Sequence, residues 1–135
     1  MTGPELIEGY ASIFGQPDLD GDVVRGGAFA ASLRQAGQVP MLLQHRNGSI
    51  AGRWLSVRET GRGLFVRGLV EADGAKRLLA SGLDGLSIGF RPRLWRPRTK
   101  GRDLIAVDLV EISLVSAPMQ PLARLTRLQG RQTAA

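Results

Sequence analysis

The stretch Gly85-Leu86-Ser87-Ile88-Gly89-Phe90 decides the fold, because it can be read in two ways. A serine with a glycine two residues away on either side spells G-x-S-x-G, the strand-to-helix turn that exposes the nucleophile of α/β-hydrolases. That version needs a helix after the serine and a histidine late in the chain. Here Pro92 and Pro97 follow closely, and the only histidine, His45, comes earlier. Proline lacks the N–H and clashes with the preceding turn, so no helix starts there. The apolar residues run on through Leu94 and Trp95, and the stretch reads as a strand with Pro92 at a bulge or edge position.

The neighbouring segments extend this reading. Ala72 to Ser81 is expected to be a helix, with Ala75, Leu78 and Leu79 on one face, Asp73 near its start and Gly82 as its stop. Arg96 to Arg102 is a basic loop rich in breakers. The longest strand is expected from Leu104 to Ser116, with Leu109, Glu111, Ser113 and Val115 on one face and Val110, Ile112 and Leu114 on the other. Pro118 and Pro121 end it. Leu122 to Leu128 fits one more turn or strand, and from about residue 130 the tail is expected to fray.

Towards the N-terminus, Glu5 to Phe14 reads as a strand followed by a loop. Asp18-Leu19-Asp20-Gly21-Asp22 has alternating acids like an EF-hand loop, but Val23 and Phe29 occupy the positions where that loop needs glycine and glutamate, so a plain turn is expected. Ala28 to Ala36 reads as a short helix with Phe29 and Leu33 on one face and a stop at Gly37. Val39 to His45 is a strand whose end delivers His45 to a rim. Ile50–Val57 and Leu64–Val70 form a hairpin, the second strand setting Leu64, Val66 and Gly68 against Phe65, Arg67 and Leu69. With no βαβ alternation, the pattern predicts a mainly β protein with flanking helices (α+β). Its sheet is expected to be antiparallel and barrel-like, in a single domain spanning 1–135.

The 135 residues, 43% hydrophobic, suffice for a core without staples. The absence of cysteine excludes disulfides, thiolate catalysis and Cys-based zinc sites, and a single histidine excludes His-rich metal sites. No metal or other cofactor is expected. Neither a secretory start nor an apolar run of membrane-spanning length is present, so a soluble intracellular protein without a membrane partner is expected. The net charge of +6 is uneven: 9 Lys/Arg and 9 Asp/Glu up to Phe90, then 9 and 3. A basic surface attracts nucleic acid or acidic protein, but with 5% aromatic residues the chain has no evident base-stacking platform, which argues against nucleic acid.

Serine is a weak nucleophile until a base takes its proton, and the base works best when a third group fixes its tautomer. His45 is the one side chain suited to that role at neutral pH. Glu111 interrupts the apolar strand Val107 to Val115, where a carboxylate is costly unless paired. Each has a plainer alternative: a surface histidine, a glutamate on a wet face and a serine in a glycine turn.

Several segments, taken in order, carry a resemblance: Glu8 to Phe14, Asp20-Gly21-Asp22-Val23-Val24, Gly27-Ala28-Phe29, Leu42 to His45, Ile50 to Arg53, Gly63 to Val66, Gly85 to Phe90, and Glu111 to Pro118. Together they resemble the motifs of the tailed-phage prohead proteases, serine peptidases related to the herpesvirus assemblins, with members in prophages and gene transfer agents. The resemblance implies an assemblin-like barrel flanked by helices. It implies Ser87 as nucleophile, His45 as base and Glu111 as third member, a position held by a second histidine in assemblins. Oxyanion donors are expected near Ser87 and from Met119 and Gln120, which follow Pro118. The implied activity is cleavage of the scaffolding segment of a major capsid protein, and also self-cleavage, inside proheads assembling in the bacterial cytoplasm. A homo-oligomer is compatible with this reading. The competing class is a non-enzymatic basic β-barrel binding nucleic acid, capsid or scaffold protein.

Overall fold

The computed structural model describes residues 3–35 and 39–128. Its strands are β1 (Glu5–Ile13), β2 (Val23–Val24), β3 (Pro40–Leu43), β4 (Ile50–Glu59), β5 (Gly63–Val70), β6 (Gly85–Pro97), β7 (Arg102–Val115) and β8 (Leu125–Leu128), and its helices are α1 (Ala30–Gln35) and α2 (Asp73–Ala80). The protein is therefore mainly β with two short helices among the described residues. The anticipated stop of α1 at Gly37 and the fraying after 130 lie outside the described residues. Among those described, no helix is long and apolar enough to cross a membrane.

The ladder path runs β2-β7-β3-β4-β5-β1-β8, with β6 also paired to β7. Five pairings are antiparallel, but β2 and β3 both run parallel to β7, so the sheet is mixed. It does not close into a continuous barrel either. Between β8 and β6 the link is one bridge, Gly85 with Arg124, flanked by Leu86 N–H to Ala123 O at 2.9 Å and Leu125 N–H to Asp84 O at 2.8 Å.

Strand β7 is the spine. One edge carries β6 along its whole length. The other is covered in pieces: β2 at Asp103 and Leu104, the Ala28 carbonyl accepting from Val107 N–H at 3.0 Å, the Ser32 hydroxyl accepting from Leu109 N–H at 2.9 Å, and β3 from Ile112 to Leu114. Helix α1 thus lies where the strand would otherwise expose unpaired backbone. It begins after Phe29 because the Glu59 carboxylate, at the end of β4, accepts from the N–H groups of Gly27 and Phe29. Phe29 itself is wholly buried, stacked on Phe14 at 6.2 Å.

Alternation along β5 is as anticipated, with Leu64, Val66 and Val70 fully buried in the core beside Ile7, Trp54 and Met41. In β7 the expected alternation breaks. Gly89 pairs with Glu111 and Phe90 with Leu109, leaving Val110 as an extra residue in a β-bulge. Val110 is 40% exposed, while Leu109 packs in the same core as Ile112 and Leu114. One inserted residue thus reverses the phase of the strand, so Leu109 does not share a face with Glu111 and Ser113.

Candidate active site

Strand β3 ends at Leu43, and the next two residues, Gln44 and His45, lie in the left-handed region with φ of 53° and 60°. Non-glycine residues adopt it rarely, and they keep it where the surroundings over-determine it. Here Gln44 N–H donates to Leu114 O at 2.8 Å, and the Gln44 amide oxygen accepts from Ser116 N–H at 3.1 Å. His45 N–H donates to the Ser113 hydroxyl at 3.1 Å. The chain is thereby turned back over the end of β7, and the imidazole meets the strand beneath it.

The contact it makes is with Glu111: His45 Nδ1 lies 2.6 Å from Glu111 Oε2. The other carboxylate oxygen, Oε1, accepts from the Ser113 hydroxyl at 2.6 Å. Both oxygens are therefore engaged, which fixes the orientation of a carboxylate that is almost fully buried. With Nδ1 as the donor to Glu111, the imidazole presents Nε2 as the free acceptor.

Ser87 enters from the opposite edge of β7. It pairs with Ser113, and Gly89 pairs with Glu111. Directly opposed residues of an antiparallel ladder project to the same face. Ser87, Ser113 and Glu111 accordingly share one face, while Leu86, Ile88 and their partners Leu114 and Ile112 form the other. The glycines are strand residues rather than turn residues, and neither has positive φ. Their use is space. A Cβ on Gly89 would collide with the Glu111 carboxylate, and one on Gly85 would stand 2.5 Å from Val115 O and 2.9 Å from Pro118 Cδ.

Ser87 is 4% exposed, and what access it has opens on a pocket of about 140 Å³ that is also lined by Met119, Gln120, Asp18, Asp20 and Asp22. His45 and Glu111 stand outside that lining. The Gln120 side chain is committed elsewhere: its amide oxygen accepts from Ile13 N–H at 2.6 Å, and its nitrogen donates to Ile13 O and Gln16 O. Among the described residues, the backbone N–H groups of Met119 and Gln120 donate to no partner, so the backbone is what this segment offers an oxyanion.

Ser113 is the residue that sequence reasoning passed over. Its signal was faint: a hydroxyl two positions from Glu111 in a strand that is otherwise apolar. Ser113→Ala removes a hydrogen bond to a charged group and leaves His45 N–H without its acceptor, a cost of about 1.5–3 kcal/mol. With the protease activity that the sequence resemblance implies, the expected result is a fall of roughly 10–100-fold in kcat/KM with the fold retained, measured beside circular dichroism of the same samples.

The acidic turn takes the expected form, with Asp18 Oδ1 accepting from the N–H groups of Asp20 and Asp22. Burial pushes the Asp18 carboxyl above its ordinary range. Arg102 donates through Nε and Nη2 to the two oxygens of Asp22 at 3.2 and 2.7 Å, and this hydrogen bonding raises the guanidinium pKa further. The basic excess of the last third lies mainly on the exposed β6–β7 ribbon, at Arg91, Arg93, Arg96, Arg98 and Lys100.

Comparison with known proteins places these features. The model of the caudovirus prohead serine protease family matches residues 2–134 of the chain. The prohead protease of Enterobacteria phage HK97 is 38% identical over 93 residues, covering 63% of this chain and 41% of that protein. The chain thus spans less than half the length of that phage protease. Among solved structures, the KSHV protease in complex with a hexapeptide phosphonate inhibitor aligns with a TM-score of 0.60 at 13% identity, covering 90% of this chain and 64% of that one. The varicella-zoster virus protease aligns with a TM-score of 0.49 at 15% identity, over 78% and 57%. The KSHV alignment bears out the expected likeness to the herpesvirus protease fold.

Proposed function

The chain belongs to the caudovirus prohead serine protease family, and from that premise we propose that it is a serine endopeptidase that removes the scaffolding segment from a major capsid protein. The 135 residues act as one protease unit inside proheads assembling in the host cytoplasm, and the enzyme also cuts its own chain. Ser87 is the nucleophile, His45 the base and Glu111 the group that holds His45 in place. The observation that carries this reading is the His45 Nδ1 to Glu111 Oε2 contact at 2.6 Å, set over the strand pair that bears Ser87.

The chemistry follows the arrangement. Glu111 accepts from Nδ1, so Nε2 is free to take the Ser87 proton as Oγ attacks a peptide carbonyl. The imidazolium so formed is stabilised by the carboxylate beside it, and it returns the proton to the leaving amine. Met119 and Gln120 line the pocket beside Ser87, and their backbone N–H groups are the donors assigned to the oxyanion in this reading. Water then enters, His45 again acts as base, and the acyl-enzyme is released.

The test is co-expression with the cognate major capsid protein and mass spectrometry of the product. The wild-type chain should yield a capsid protein shortened at one internal site, and Ser87→Ala should leave it full length. Unchanged cleavage with Ser87→Ala would sink the assignment, and an intact capsid protein in both samples would favour the non-enzymatic reading.

A further inference from the structure

Past the site, β6 and β7 continue as a two-stranded ribbon from Arg91 to Asp108 that carries six basic residues and two acidic ones. Residues 91–97 are all exposed, and none of them lines the pocket beside Ser87. Part of the charge is spent locally. Arg93 pairs with Asp108 at 3.5 Å, Arg98 shares Asp103 with Arg25, and Arg102 holds Asp22. Arg91 and Arg96 form no ion pair among the described residues. The two edges of the ribbon also differ. That of β7 is covered, by β2 at Asp103 and Leu104 and by the Ala28 carbonyl at Val107 N–H. That of β6 carries no ladder over residues 91–97 among the described residues. The covered edge holds the ribbon in place, and the open one leaves main-chain groups to be paired.

On the open strand, Leu94 is 57% and Trp95 47% exposed. Arg102 Cζ lies 5.6 Å from the Trp95 ring centroid, and Arg102 is itself fixed by Asp22. The ring is thus backed by an anchored guanidinium, with the rest of its surface open. Arginines that only kept the edge from pairing would explain the charge, but not a leucine and a tryptophan exposed among them. Tryptophan and arginine are the side chains that dominate binding energy in many interfaces. A second copy of this edge would meet like charge, and a nucleic acid would leave the strand edge unpaired. We propose that the outer edge of β6 over residues 91–97 docks an acidic, extended segment of a partner protein. Its carboxylates meet Arg91 and Arg96, an apolar side chain covers Trp95, and its main chain pairs with β6. Because Pro92 and Pro97 lack an N–H, the donors for that pairing come from residues 93–96.

The test is fluorescence anisotropy on the full chain carrying Ser87→Ala, so that no probe is consumed and the role of Ser87 has no part in the result. The probes are a labelled peptide of about ten residues alternating glutamate with valine, its lysine–valine counterpart, the glutamate peptide N-methylated along its backbone, and an oligothymidylate of equal charge. The glutamate peptide should bind at least about ten-fold tighter than the other three, and its affinity should fall as salt rises. Arg91→Glu with Arg96→Glu should reverse the order of the glutamate and lysine peptides, a result that loss of fold would not give. Trp95→Ala should weaken the glutamate peptide by about ten-fold, with circular dichroism unchanged. Oligothymidylate or the N-methylated peptide binding as tightly as the glutamate peptide would overturn the inference. So would an order unmoved by the double charge reversal, or a glutamate peptide that does not bind.

Discussion

His45→Ala is expected to lower the single-turnover rate of capsid-protein cleavage by about 10⁴–10⁶-fold, and adding Ser87→Ala to it should lower the rate little further. The size follows from composition as much as from geometry. The chain has one histidine and no cysteine, so no second imidazole or thiolate stands ready to replace the lost base. The non-additivity follows from the mechanism. A serine without its base and a base without its serine are the same broken unit, and what survives is the contribution of binding and of the oxyanion donors. Glu111→Gln should cost less, roughly a hundred-fold short of the His45 loss, since the amide still occupies the site but offers the wrong partner to Nδ1. Independent, additive losses for His45→Ala and Ser87→Ala would show that the two do not act together. Full activity in Glu111→Gln would remove the carboxylate from the machinery. Thermal unfolding of each variant separates these outcomes from simple loss of fold.

Much of this was legible in the sequence, and the parts that were not share a cause. The alternation of Leu64, Val66 and Val70 announced β5 because one face of that strand is buried and the other is wet. Pro92 announced an edge, and among the described residues the one ladder of β6 is with β7, its other side carrying a single bridge at Gly85. The parallel pairing of β3 with β7 was hidden, since it joins Met41 to Ile112 across seventy intervening positions and leaves no local pattern. The bulge at Val110 was hidden for a related reason. Alternation has period two, and one extra residue changes its phase without changing the composition. Ser87, His45 and Glu111 could be picked out by residue type, and the segments around them carried the family resemblance. Ser113 could not, because a serine in a strand looks the same whether it faces water or holds a carboxylate in position.

Gly89→Ala is expected to lower kcat/KM by about 10⁴-fold while reducing stability by only about 1–3 kcal/mol. The separation of the two effects comes from what the new methyl group would strike. At Gly89 the nearest atoms are Oε2, Cδ and Cγ of Glu111, the far part of a side chain that can swing aside, not backbone that must shift. The fold can therefore accommodate alanine by displacing the carboxylate. Displacement breaks the bonds from Glu111 to His45 and to Ser113 together, and His45 loses the group that sets its tautomer. Gly85→Ala makes a useful contrast, since its methyl would meet Val115 O and Pro118 and not the carboxylate. That variant should lose stability through backbone crowding. A shorter acid supplies the decisive comparison: in Gly89→Ala with Glu111→Asp, removal of one methylene restores room beside residue 89, and part of the lost rate should return. Gly89→Ala with undiminished kcat/KM would mean that the carboxylate is not needed where it lies, and the glycine after Ser87 would then be a packing residue with no part in the reaction.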